Sequence, residues 1–188
     1  CDVSRIIPRP SPDGEAGKYL FFLSLSGMMY AMMMVNSMKG VFFMLDIFDI
    51  LGPVMIGPSS SHTAGAARIG SMARSLLGAP PVRAAIHLYG SFAETGAGHG
   101  TDRALVGGLL DMKPDDPRLP FAFDEAKKAG LTYTIDEISL RDAHPNTAVI
   151  EAWAADGKTL VMQASSLGGG RIMVNKLDGI DVNFNGMF

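Results

Sequence analysis

The run Gly57-Pro58-Ser59-Ser60-Ser61-His62-Thr63 sets four hydroxyls and one imidazole within seven consecutive positions. The Gly-Pro opening is a turn signal, and the pattern beyond it predicts a helix over 62–77. Ile69, Met72 and Leu76 fall at i, i+3 and i+7, an apolar stripe. Arg68, Ser71 and Ser75 repeat the spacing on another face. Ser60 or Ser61 is the expected N-cap, and Gly78 followed by Pro80-Pro81 ends the helix. Hydroxyls, free backbone N–H groups and the positive end of the helix dipole thus converge, a setting that suits a carboxylate or phosphate. His62 adds a group that exchanges a proton near neutral pH. An ordinary helix cap with a bystander histidine fits the same residues.

A second patch runs from Gly90 through Ser91, Gly96-Ala97-Gly98, His99 and Gly100 to Thr101-Asp102-Arg103. Its glycines permit either close backbone approach to a ligand or tight turns. A dinucleotide fingerprint fails here, because the position three after Gly98 is Thr101. His99, Asp102 and Arg103 either line a pocket or decorate a helix start. His144-Pro145-Asn146-Thr147 reads alone as a turn. Ser165-Ser166-Leu167-Gly168-Gly169-Gly170 is an anion-holding loop or a bend.

These patches need elements to hold them. Val82–Tyr89 alternates like a strand, with Val82, Ala84, Ile86 and Leu88 on one face. Residues 90–100 read as a small, glycine-rich segment. Thr101–Met112 is a predicted helix capped by Thr101, residues 113–120 a proline-bearing loop, and Phe123–Ala129 a short helix ended by Gly130. Leu131–Leu140 alternates as a strand. Ala148–Ala154 and Lys158–Ala164 form a hairpin across Asp156-Gly157, and Arg171–Leu177 with Ile180–Phe184 another across Asp178-Gly179. Mixed helices and strands followed by a run of strands predict an α+β domain, with a largely antiparallel sheet packed with a few helices.

Composition narrows the function classes. The chain has 188 residues, a formal net charge of −3 and a single cysteine, Cys1. Its length suits one domain plus an extra segment. One cysteine rules out a disulfide framework, a cysteine-based zinc site, and an iron–sulfur cluster held by this chain alone. The mild acidic balance argues against a nucleic-acid partner. No P-loop, nucleophile elbow or HExxH motif occurs. His62, His87, His99 and His144 lack the spacing of metal ligands, so no metal is expected on this chain.

Residues 1–37 stand apart. Tyr19–Met38 holds no charged residue and six methionines, about the length that crosses a bilayer, yet serines, a glycine and an asparagine dilute it. Residues 1–37 are read as an extraneous or disordered apolar segment, upstream sequence ahead of a start at Met38 or Met44. A membrane anchor is the alternative. The domain is then 38–188.

The patches taken in order resemble a known family. Phe48-Asp49-Ile50, the Gly57–Ala66 run, Leu88-Tyr89-Gly90-Ser91, Gly98–Ala104, His144–Thr147 and Gly168-Gly169-Gly170 are similar to the beta subunit, or beta domain, of bacterial iron–sulfur L-serine dehydratases. The resemblance covers about residues 41–188, and the first motif is its most specific part. It implies an L-serine ammonia-lyase that forms pyruvate and ammonia without pyridoxal phosphate. A [4Fe–4S] cluster on the cysteines of an alpha partner would act as Lewis acid on the serine hydroxyl. His62 would be the catalytic acid or base. Ser59, Ser60, Ser61, Thr63, His99, Asp102, Arg103, His144, Asn146 and Thr147 would bind the substrate. The fold would be similar to the substrate-binding regulatory domain of some phosphoglycerate dehydrogenases, which leaves a second job open, that of a non-catalytic serine-binding regulatory domain. The resemblance also implies a cytoplasmic protein, allows a homodimer, and makes a C-terminal ACT-type module a part that such beta subunits often add.

Overall fold

The computed structural model describes residues 54–185, within the unit Asp46–Phe188. The expected boundary after residue 37, the Tyr19–Met38 segment and the Phe48-Asp49-Ile50 motif lie outside the described residues. No described helix is long and apolar enough to cross a membrane.

Ser59 is extended and its hydroxyl accepts from the backbone N–H of His62, so Ser59 is the N-cap, in place of Ser60 or Ser61. The turn it opens, Ser60–Gly65, is a π-turn, wider by one residue than an α-turn. It passes into α1, Ala66–Leu77, stopped by Gly78 in the left-handed conformation. Within α1 the buried face follows Ile69, Ala73 and Leu77 at i, i+4 and i+8, so Leu77 is buried where Leu76 was expected, and Leu76 is 37% exposed. Ala66, Ala67, Ile69, Gly70 and Ala73 complete that face.

β1, Pro81–Tyr89, buries Ala84, Ile86 and Leu88, while Val82 is exposed. The glycine-rich stretch after it is a helix, α2, Ser91–His99. α3, Thr101–Leu109, starts from Gly100 and has no side-chain cap. Thr101 was expected to cap it. Its hydroxyl is instead buried, with no partner among the described residues. A 3-10 turn at Leu119–Phe121 leads into α4, Ala122–Ala129, ended by Gly130. β2, Thr132–Glu137, β3, Thr147–Ala154, β4, Thr159–Gly168, β5, Arg171–Leu177, and β6, Ile180–Phe184, follow.

The strands form one six-stranded sheet in the order β2-β1-β3-β4-β5-β6. Only β1 and β2 pair in parallel; the rest are antiparallel. The α+β class with a largely antiparallel sheet is therefore as expected. The parallel pair exists because α2, α3 and α4 lie between its strands and carry the chain back over the sheet. The core lies between helices and sheet, with Ile69, Phe92, Leu105 and Leu109 meeting Ile86, Ile150 and Met162. On other surfaces, Arg83 stacks over Trp153 and His87 pairs with Asp136 and Glu151.

α1 and α3 touch backbone to backbone. A Cβ on Gly108 would stand 2.1 Å from the Ala67 carbonyl oxygen, and one on Gly70 2.2 Å from that of Leu105. This contact fixes the element that follows the π-turn against the one that carries Arg103.

Candidate functional site

The π-turn, the start of α2, the turn before β3 and the end of β4 meet at one place. A Cβ on Gly65 would fall 2.0 Å from the Ser166 hydroxyl, so only glycine lets the π-turn lie on β4. The Ser166 N–H donates to the Asn146 carbonyl at 2.9 Å. Gly90 takes a positive φ of 58°, and a side chain there would strike the Pro145 carbonyl, at 2.7 Å from its Cβ. The 144–147 turn thus buttresses α2, whose Phe92 N–H donates to the Pro145 oxygen.

His62 sits at the centre of this junction and is 8% exposed. Its Nε2 lies 2.9 Å from the Thr95 hydroxyl, 3.2 Å from the Ser91 hydroxyl and 3.4 Å from the Ser91 carbonyl oxygen. Its Nδ1 lies 3.2 Å from the Ser61 hydroxyl and 3.3 Å from that of Ser59. The ring packs edge-on against Phe92 at 5.3 Å and His99 at 5.0 Å between centroids. Burial pushes the imidazole below its ordinary pKa. The Ser91 carbonyl raises it in part, and His99 lowers it further.

That shift predicts a pH effect on stability. The folded protein binds the His62 proton less readily than the unfolded chain does. Stability contributed by neutral His62 is complete above the unfolded value, about 6.5, and is lost as pH falls below it towards the lower folded value. The melting temperature should fall across this window more steeply in the wild type than in His62→Gln; equal slopes would contradict the assignment.

Beside the turn lies a cleft of about 310 Å³ lined by Gly57, Pro58, Thr63, His99, Arg103 and Leu119, among others. The Thr63 hydroxyl donates to the His99 carbonyl at 3.3 Å, joining two residues of the cleft lining. The Arg103 guanidinium lies 5.3 Å from the Phe123 ring centroid, a cation–π contact. Arginine, histidine and the N-terminus of α3 make this cleft suited to a carboxylate.

The residues singled out in the sequence divide into groups. Ser59, Ser61 and His62 share one hydrogen-bonded cluster, with Ser60 in the same turn. Thr63, His99 and Arg103 line the cleft. Asp102 lies outside the described cleft lining, and its carboxylate accepts from the Arg103 N–H. His144 is exposed and its Nδ1 accepts from the Asn146 N–H. Thr147 is buried, donates to the His144 carbonyl and shares a hydrogen bond with Ser165. These last three belong to the turn whose Pro145 carbonyl meets the start of α2. Sequence reasoning passed over Thr95. The signal for it was faint: a threonine four residues after Ser91, the i, i+4 spacing of one helix face.

An α+β domain with a serine-rich π-turn holding a buried imidazole beside a cleft lined by arginine and histidine is the class that fold and site define. The family model described as serine dehydratase beta chain matches residues 44–138, and the chain belongs to that family. It is 50% identical over 143 residues to the probable L-serine dehydratase, beta chain, of Bacillus subtilis (strain 168), across 74% of this chain and 63% of that one. It is 44% identical over 142 residues to the L-serine dehydratase, beta chain, of Peptoniphilus asaccharolyticus, across 75% and 64%. L-serine dehydratase 2 of Escherichia coli (strain K12) is 31% identical over 157 residues, which cover 69% of this chain and 33% of that protein. The chain therefore spans less than two thirds of the length of these relatives.

Proposed function

We propose that this chain works as the beta subunit of an L-serine dehydratase, converting L-serine to pyruvate and ammonia with an alpha partner that bears a [4Fe–4S] cluster. Family membership and the printed names of the two beta-chain relatives support this reading. Cys1 is the only cysteine, and among the described residues no group of three or more His, Cys, Asp or Glu could hold a metal ion. This chain's side chains do not fit a four-cysteine cluster, so in this reading the cluster belongs to the partner.

The observation that carries the proposal is His62, hydrogen-bonded at both ring nitrogens and adjacent in the turn to Thr63, which lines the arginine-bearing cleft. Arg103, His99 and Thr63 receive the serine carboxylate in the cleft, with Ser60 and Ser61 supplying hydroxyls from the turn. His62 takes the Cα proton, a role that contributes on the order of 10²–10⁴-fold to a rate. Asp102 steadies the first turn of α3. Ser59 shapes the π-turn, and His144, Asn146 and Thr147 hold α2 in place. On this reading the protein works in the cytoplasm.

The burial of His62 favours a second reading, a serine-sensing regulatory domain without catalysis. One experiment separates the two. The full chain is mixed anaerobically with the alpha chain of the Bacillus subtilis enzyme and L-serine, and pyruvate is measured. Release that requires both chains supports the first reading. Calorimetric binding of L-serine by the full chain, with no pyruvate from a mixture in which the two chains co-sediment, supports the second.

A further inference from the structure

The oxygen atoms around Nε2 fix where the His62 proton resides. The Ser91 carbonyl oxygen only accepts. The Thr95 hydroxyl has one proton, and at 2.7 Å it donates that proton to the same carbonyl. Towards Nε2, 2.9 Å away, Thr95 therefore presents a lone pair. An unprotonated Nε2 would face a carbonyl and a spent donor, with only the Ser91 hydroxyl, at 3.2 Å, left to donate to it, whereas a protonated Nε2 meets two oxygens already set to accept. On the opposite side, Nδ1 faces only the hydroxyls of Ser59 and Ser61, which can turn to donate.

We infer that Thr95, acting with the Ser91 carbonyl, is a positioning residue that keeps neutral His62 in the Nε2–H tautomer, so that Nδ1, on the Ser59–Ser61 side, is the basic nitrogen. The inference rests on the reading of His62 as the base. In the step it serves, the substrate Cα–H bond breaks, the electron pair stays on carbon and the proton arrives at Nδ1. The imidazolium then donates from both nitrogens, through Nε2–H to Ser91 and Thr95 and through Nδ1–H to the serine hydroxyls. Its new charge meets only oxygen acceptors. The opposing electrostatic influence is His99, whose ring lies 5.0 Å away.

The test uses the full chain, labelled with ¹⁵N-histidine and assigned by the signals lost in His62→Gln. Above the imidazole titration, the wild type should show a pyridine-like Nδ1 and a pyrrole-like Nε2. Thr95→Val should mix the two tautomers and Thr95→Ser should restore the single one. In the anaerobic assembly with the alpha chain, Thr95→Val should lower kcat roughly tenfold, the worth of one hydrogen bond, and displace the acidic limb of the pH profile, where the base takes up its proton. KM should hold and Thr95→Ser should recover the rate. A pyridine-like Nε2 in the wild type overturns the tautomer assignment. The expected tautomer with an unchanged pH profile and rate in Thr95→Val overturns the positioning role, while leaving His62 as the base. Unchanged turnover in His62→Gln overturns the base reading itself.

Discussion

Replacing His62 by glutamine is expected to lower pyruvate release from L-serine by about 10²–10⁴-fold in the anaerobic assembly, with little change in how the two chains associate. Glutamine keeps a polar planar group of similar length among the same five oxygen contacts. It lacks a nitrogen that takes up a proton near neutral pH. The proposed carboxylate contacts, Thr63, His99 and Arg103 of the cleft lining, lie outside the exchanged side chain. The loss should therefore fall on kcat more than on KM. A variant that keeps kcat and loses only affinity would make His62 a binding residue. The measurement is initial-rate kinetics, with assembly checked by sedimentation.

The largest effect on stability is expected from Gly108→Ala. Its Cβ would stand 2.1 Å from the Ala67 oxygen, 2.7 Å from the Ser71 nitrogen and 2.9 Å from the Gly70 Cα. All three are backbone atoms, which cannot rotate aside, so α1 and α3 must separate. Overpacking of this kind costs about 1–3 kcal/mol and sometimes more, a fall of several degrees in melting temperature for a domain of this size. The separation also pulls the π-turn from Arg103, so affinity for L-serine should drop with stability. Gly98→Ala is the control. It lies in α2 with nothing within 4 Å of the added Cβ, so it should leave the melting temperature level or raise it, since alanine is the better helix former. Equal melting of the Gly108→Ala and wild-type proteins would contradict the close crossing.

Much of the scaffold was legible because its signals are local. Gly78 and Gly130 stop their helices, and Asp156-Gly157 and Asp178-Gly179 turn their hairpins, with each residue type matched to the backbone it must adopt. The failures share a different cause. The π-turn inserts a residue that periodicity does not announce. This moved the cap to Ser59, while the buried face runs through Ala73 to Leu77 because Ile69 has apolar partners at i+4 and i+8 as well as at i+3 and i+7. Gly96 and Gly98 lower intrinsic helix propensity, so α2 looked like loop until its packing against the 144–147 turn and α3 was seen. Thr101 could not cap a helix that Gly100 already opens. Thr95 was hidden with α2, because its role depends on a histidine 33 positions away. The motif carrying His62 stood out in the sequence, whereas the pairing of that histidine with α2 comes from tertiary topology.

The central claim is that His62 removes the Cα proton of serine, and the α-deuterium isotope effect tests it most directly. L-Serine and α-deuterated L-serine are compared in the anaerobic assembly, with wild-type chain and with His62→Gln. The account predicts a slow variant in which C–H cleavage has become rate-limiting, so its isotope effect exceeds that of the wild type. A slow variant with no isotope effect would place His62 in another step and contradict the account.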